Sequence, residues 1–174
     1  MTTFLVLTLP RSRSFWLSKF LDCPHDPSRH FRDPADVVAY FNDGASAVDT
    51  GLGLIWDTHM HAVRRDLRVV VVHRAVPEVL DSLARVGMRS AKIDESMHRM
   101  ADKLLRIPGA HFTYSQIGTF MGAGMLFTYC LGVPCTEEWW DAMKDRREEA
   151  DIGAITRDAV ANAQGLARVF GRAA

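Results

Sequence analysis

Two short, mostly apolar runs constrain the fold of this chain more than any other feature of its sequence. Phe4–Leu9 and Arg68–His73 are short and rich in leucine and valine, and the second contains four consecutive valines. Runs of this kind are typical of strands that are buried on both faces of a parallel sheet. Two shorter segments, Ser46–Asp49 and Ala110–Tyr114, are further candidate strands.

Helical patterns alternate with these strands. Asp33-Pro34 places an N-cap residue before a helix-opening proline. Leu52–Val63 has apolar or bulky residues at helical spacing, which predicts an α-helix there. The remaining predicted helices are about Val76–Val86, Ser90–Leu105, Ser115–Leu131, Glu137–Glu149 and Ile152–Phe170. The alternation predicts right-handed crossovers and a three-layer α/β/α fold with a mostly parallel sheet and a helical C-terminal third. No linker or repeat divides the sequence, so we expect residues 1–174 to form one domain.

The composition argues against several classes of function. The chain has 21 basic and 21 acidic residues, so we expect no strong attraction to nucleic acid. Three cysteines without C-x-x-C spacing, and an N-terminus unlike a signal peptide, indicate reduced thiols and a cytoplasmic protein. The uncharged stretch Ile117–Val133 is at the short limit for a membrane span and contains four glycines. A buried helix is therefore the preferred interpretation, and no membrane partner is expected.

The loop after the first strand is the candidate site. Pro10 ends the strand, and Arg11–Ser14 then supplies two arginines and two serines where a helix begins. Backbone N–H groups at a helix start, hydroxyls and guanidinium groups together bind phosphate or sulfate. Ligands in open α/β sheets bind beyond the carboxyl ends of parallel strands. We therefore expect a phosphorylated or sulfated nucleotide here; the alternative is that the arginines are solvated surface charges.

Three separated segments extend this pattern. Pro10–Leu17 reads Pro-Arg-Ser-Arg-Ser-Phe-Trp-Leu. In Val69–Leu83 a strand ends in arginine, and a serine follows eight residues later. Phe112–Tyr114 is followed by Leu-Gly-Val-Pro at Leu131–Pro134. In their order and spacing these segments resemble the sulfotransferases, relatives of the P-loop nucleotide kinases that use 3′-phosphoadenosine 5′-phosphosulfate (PAPS) as donor.

The resemblance implies a P-loop fold, PAPS as the sulfuryl donor and no metal. Arg11 is implied as the catalytic cation that meets charge on the leaving phosphate. The acceptor would be a hydroxyl or amine of an unidentified small molecule or glycan, and the oligomeric state stays open. The residues implied in donor binding are Arg11, Ser12, Arg13, Ser14, Phe15, Trp16, Arg74 and Ser82.

Simpler roles compete with these assignments. Arg74 could instead form a salt bridge with Glu78 in the following helix, and Ser82 could be a neutral helix-interior residue. Arg13 stands where the family has glycine, and the Arg-Lys-Gly segment that closes over the adenosine in cytosolic members is missing. Two other functions therefore stay open: a P-loop small-molecule kinase relative, and a non-catalytic nucleotide-binding or assembly protein.

The acceptor hydroxyl needs a general base, for which Asp49 is the first candidate. It ends a short strand at the expected carboxyl edge of the sheet. An N-cap for the helix predicted from Leu52 is an equally good explanation of this residue. Thr58-His59 is superficially similar to a Lys-Thr-His segment of cytosolic relatives, but its spacing puts His59 on the apolar face of the predicted helix.

Overall fold

A four-stranded parallel sheet forms the centre of the protein. The computed structural model describes residues 2–56 and 60–146. The strands are β1 (Phe4–Thr8), β2 (Ala47–Asp49), β3 (Arg68–His73) and β4 (Ala110–Thr113), in the order β2-β1-β3-β4. All three neighbouring pairs are parallel. The predicted strands are confirmed to within one residue at each end, and so is the α/β architecture.

Helices cover both faces of this sheet. They are α1 (Ser14–Phe20), α2 (Pro34–Asn42), α3 (Val76–Arg85), α4 (Ala91–Leu104), α5 (Phe120–Leu131) and α6 (Glu137–Met143). Alternate residues of β1 point to opposite faces, as strand geometry requires. Leu5 and Leu7 pack in one core cluster with residues of α2, α3 and α4. Phe4 and Val6 pack in the other with residues of α1, α5 and α6. This is the predicted three-layer arrangement.

Side-chain caps define where most of the helices begin. Asp33 accepts the backbone N–H groups of Ala35 and Asp36, and Ser90, Thr119 and Thr136 cap α4, α5 and α6 in the same way. Such caps satisfy N–H groups that have no partner within the helix. Helix α1 differs, because Arg13 is its N-cap residue, no side chain caps it and no acidic residue lies in its first turn.

The α-helix predicted over Leu52–Val63 is present only in part in the described residues. Trp56 is α-helical, but the chain forms 3₁₀ turns at Leu52–Ile55 and Met60–Ala62. The Nζ of Lys103 donates to the carbonyl of Leu54 at 2.8 Å, a tertiary contact that local spacing does not encode. Leu52, Ile55, Met60 and Val63 are buried, because their spacing directs them to the core. His59 lies outside the described residues.

Two later helices are also shorter than predicted. A 3₁₀ turn, Gln116–Gly118, precedes α5, and Thr119 then starts the helix. Helix α6 ends at Met143, while the rest of its predicted range beyond 146 and the helix predicted at Ile152–Phe170 lie outside the described residues. None of the helices in the described ranges combines the length and apolarity needed to cross a membrane.

The strand order reverses at β1. The connection from β1 leads to β2 on one side, and the chain then returns to β3 on the other side. Open α/β sheets bind ligands where the strand order reverses in this way, outside the carboxyl ends of the strands. The loop between β1 and α1 and the short connection between β3 and α3 meet at this point.

Candidate anion-binding site

Arg11 and Arg74 contact each other at the carboxyl edge of the sheet. Arg74 donates from Nη1 to the carbonyl oxygen of Arg11, a residue 63 positions earlier in the chain. Arg11 in turn donates from Nε to the Oγ of Ser82 at 3.1 Å. These contacts form because β1 and β3 are neighbouring strands, paired from Phe4 to Thr8. The structure thus brings together three residues that the sequence analysis singled out.

Arg74 also forms the ion pair that the simpler interpretation predicted. Its Nε lies 3.1 Å from the Oε2 of Glu78, and its side chain is 14% exposed whereas that of Glu78 is 58% exposed. Ion pairs with an exposed partner contribute at most about 1 kcal/mol. The guanidinium therefore stays available to a stronger anionic partner. Its Cζ also lies 4.2 Å from the ring centroid of Tyr114, which is within the range of a cation–π contact.

Arg11 and Arg13 both adopt left-handed backbone conformations, with φ of 61° and 60°. Non-glycine residues in this region cost about 1–2 kcal/mol each. The guanidinium of Arg13 stacks on the rings of Trp16 and Tyr114, at 5.7 and 5.3 Å from their centroids. The loop therefore keeps a backbone conformation that favours glycine and directs a second cation towards Tyr114.

The two serines of the loop differ in their hydrogen bonds. Ser12 is fully buried, and its Oγ has no hydrogen-bond partner among the described residues. A buried hydroxyl without a partner is costly, and in a native structure it is a feature that a ligand or water can satisfy. The Oγ of Ser14 lies 2.9 Å from the Nε2 of His25, a side chain from the irregular segment after α1.

The two aromatic residues that follow have different environments. Phe15 is 42% exposed, and its ring makes an edge contact with His25 at 5.3 Å between centroids. Trp16 is 8% exposed, stacks on Phe20 and donates its indole N–H to the carbonyl of Met143 at 2.8 Å. Phe15 thus lies on the surface beside the loop, whereas Trp16 belongs mainly to the core.

Asp49 lies at the end of β2 and has no exposed surface. Its Oδ1 accepts the N–H groups of Gly51 and Leu52 at 2.7 and 2.8 Å, and its Oδ2 accepts the N–H of Ser28 at 3.2 Å. This is the capping role that the sequence analysis weighed equally with a general base. Burial, together with the nearby carboxylate of Asp26, raises the pKa of Asp49 to about 6.

Asp26 is the second buried acid of this corner. It accepts the backbone N–H and the hydroxyl of Thr50 at 2.7 and 3.0 Å and pairs with Arg29 at 3.3 Å. Burial raises its pKa, and the hydrogen bonds from Thr50 oppose that shift. The two carboxylates are therefore committed to backbone and side-chain donors of the protein itself.

His25 is the residue of this region that sequence reasoning missed. It lies between α1 and a 3₁₀ turn, Pro27–His30, and pairs with Val48 of β2 in an isolated parallel bridge. No periodicity or motif marks it, and Ser14, its hydrogen-bond partner, is 11 positions away. Tyr114 was used only as part of a segment, although it contacts two arginines.

The arrangement is suited to binding an anion. The guanidinium groups of Arg11, Arg13 and Arg74 come from the loops after β1 and β3. In the described part of the chain, the acidic side chain that pairs with them is the exposed Glu78. Among the described residues no group of histidine, cysteine, aspartate and glutamate side chains could hold a metal ion. Searches against protein-family models, curated proteins and solved structures give no match to this chain.

Proposed function

We propose that this protein is a sulfotransferase-like enzyme that binds PAPS between the loops after β1 and β3. One observation carries the proposal: Arg11, Arg74 and Ser82, from two distant segments, are linked by hydrogen bonds where the strand order reverses. A nucleotide with phosphate groups on both its 5′ and 3′ positions needs cations from two loops, and this site supplies them. The reaction would transfer a sulfuryl group to a hydroxyl or amine.

The residues of the two segments have different roles in this proposal. The 5′ end of the donor would contact Arg11, Ser12 and Ser14, and the 3′-phosphate would contact Arg74 and Ser82. The unpartnered hydroxyl of Ser12 supports the first assignment. Arg11 uses Nε for Ser82, and a guanidinium has five N–H donors, so further donors are available to an anion. Binding would exchange the contact of Arg74 with the Arg11 carbonyl for a contact with phosphate.

Little covalent chemistry is required of the protein itself. When bound, the donor supplies the activated sulfuryl group. Transfer of such a group depends on alignment and on stabilising charge at the leaving oxygen. Arg11 is the first candidate for that stabilisation, since it projects from the loop that would hold the 5′ end.

A second candidate function is nucleotide binding without transfer. The environment of Asp49 favours this alternative. A general base must reach the acceptor hydroxyl. Asp49 is instead fully buried and accepts hydrogen bonds from three backbone N–H groups. Under this alternative the same loops bind the nucleotide, and no acceptor is sulfated.

Thermal unfolding with ligands tests the proposal. The protein is heated in buffer, with adenosine 3′,5′-bisphosphate, and with ATP plus magnesium. A ligand at 100 times its dissociation constant raises the free energy of unfolding by about 2.7 kcal/mol. We expect stabilisation by the bisphosphate and none by ATP with magnesium. Stabilisation by ATP with magnesium alone would contradict the proposal and favour a kinase relative.

A transfer assay separates the two candidate functions. The protein is incubated with PAPS and a panel of hydroxyl and amine acceptors, and release of the bisphosphate is measured with and without each acceptor. Acceptor-dependent release supports sulfuryl transfer. Donor binding without release over the whole panel supports the binding protein instead.

A further inference from the structure

A chain of hydrogen bonds connects the anion loop to the acidic corner at β2. The Nη2 of Arg29 lies 3.4 Å from the Nδ1 of His25, and the Nε2 of His25 lies 2.9 Å from the Oγ of Ser14. The side chains of His25 and Arg29 are 18% and 15% exposed, so both are largely protected from water. Ser14 itself is buried.

The arginine determines the direction of this chain. A guanidinium only donates hydrogen bonds, so the Nδ1 of His25 must accept the one from Arg29. The Oδ2 of Asp26 lies 3.6 Å from this nitrogen, which is beyond hydrogen-bond distance and farther than the Nη2 of Arg29. A neutral imidazole whose Nδ1 accepts carries its proton on Nε2. His25 therefore donates to the Oγ of Ser14.

This direction fixes what Ser14 can do. With one lone pair of its oxygen accepting from His25, its own O–H is left to donate. Phosphate and sulfate oxygens that carry no proton accept hydrogen bonds only, so a serine that donates is matched to them. We propose that His25 is a positioning residue that makes Ser14 a hydrogen-bond donor to the anionic group bound by the loop. The inference rests on the proposed anion site.

The opposite tautomer has a different consequence. With the proton on Nδ1, facing Asp26, the Nε2 would accept from Ser14, whose hydroxyl would then be unable to donate to an anion. His25 and Ser14 would in that case resemble a base and its hydroxyl partner. The tautomer is therefore the first quantity to measure. Imidazole ¹⁵N shifts of the full chain at pH 8 distinguish the two, and we expect the proton of His25 on Nε2.

A double-mutant cycle tests the role in binding. Affinity for adenosine 3′,5′-bisphosphate is measured by calorimetry for the wild type, Ser14→Ala, His25→Phe and the double variant. Ser14→Ala removes one hydrogen bond to a charged group, so we expect about a 10-fold loss of affinity. His25→Phe should lower the affinity for the bisphosphate about 5-fold. The double variant should lose about 10-fold rather than 50-fold, because His25 acts through Ser14.

Two further variants separate positioning from general damage. His25→Gln retains an N–H donor and should restore part of the affinity that His25→Phe loses. His30→Phe introduces the same aromatic residue at an exposed histidine of the neighbouring turn and should leave affinity unchanged. Thermal unfolding of each variant shows whether it is folded.

The outcomes distinguish this inference from the proposed function. Coupled losses with the proton on Nε2 support both. Independent losses in the cycle, or a proton on Nδ1, overturn the role of His25 while bisphosphate binding by the wild type upholds the site. Failure of the wild type to bind the bisphosphate overturns the proposed function and this inference together.

Discussion

The carboxyl ends of β1 and β2 lie side by side, yet their charged residues are used in opposite ways. Beyond β1 the chain presents Arg11 and Arg13, both with left-handed backbone conformations. At the end of β2, Asp49 is buried beside Asp26 from the segment after α1, and their oxygens accept hydrogen bonds from the surrounding chain.

This difference shows which charged side chains still have hydrogen-bonding groups available for a ligand. A carboxylate whose oxygens already accept backbone N–H groups holds the fold together, and any new partner would have to displace those groups. A guanidinium that stacks on an aromatic ring and pairs with an exposed acid keeps donors for a ligand. Loss of charge beyond β1 or β3 should therefore reduce binding, and loss of charge at the end of β2 should change stability.

The largest effect is expected from Arg74→Ala. We predict that it lowers the affinity for adenosine 3′,5′-bisphosphate by about 10- to 100-fold, which is the range for one or two hydrogen bonds to a charged group. The affinity for adenosine 5′-phosphate should fall much less, because this nucleotide lacks the 3′ group. Calorimetry with both nucleotides checks this. Arg85→Ala, at an exposed arginine near the end of α3, is the control. Equal losses for the two nucleotides would remove the 3′-phosphate assignment.

The acidic corner should make stability depend on pH. The folded pKa of Asp49, raised by burial to about 6, exceeds its ordinary value of 3.8. Between these values the folded state binds more protons than the unfolded state, so the free energy of unfolding falls as the pH rises from 4 to 6. We expect a fall of roughly 1–2 kcal/mol, measured by urea unfolding at each pH.

Asp49→Asn should flatten that profile, because it removes the titrating group and also its charge beside Asp26. The variant loses one acceptor for the N–H of Ser28, so a lower stability at pH 4 is expected. Asp43→Asn, at an exposed position after α2, should keep the wild-type profile. An unchanged slope in Asp49→Asn would show that Asp49 does not cause it.

The smallest effect concerns the backbone of the cationic loop. Arg13→Gly and Arg13→Ala lose the same side-chain contacts, but only glycine adopts a φ of 60° without strain. We predict that the glycine variant is more stable than the alanine variant by about 1 kcal/mol in urea unfolding. The same pair at Lys19, inside α1, should show the opposite order, since glycine disfavours a helix. An alanine variant as stable as glycine would argue against left-handed strain at Arg13.

Much of the fold could be predicted because its strands are buried on both faces. Four consecutive valines leave few alternatives to a central strand, and Arg68–His73 has the predicted bounds. The segment at Leu52 was predicted only in part, because helical spacing records which residues face the core and not whether a turn is α-helical or 3₁₀. It does not record that Lys103, about fifty positions later, takes the carbonyl of Leu54.

The candidate site was also predicted only in part. Arg11 was singled out because it follows a recognisable strand, whereas Arg74 and Ser82 were singled out because their segment resembles that of the sulfotransferases. His25 was missed because its loop has no pattern, and its importance comes from Ser14 and Arg29, which only the folded chain brings to its two ring nitrogens. Asp49 was found, but its burial and its three N–H partners could not be read from the residues around it.

The sequence by itself determined the strands, most of the helices and the charge of the loop after β1, because these depend on local patterns of apolar and charged residues. The tertiary structure decided the strand order and with it the contact between Arg11 and Arg74. It also decided which charged groups are already satisfied. Hydrogen bonding and burial depend on neighbours that are distant in the chain, so no local pattern contains them.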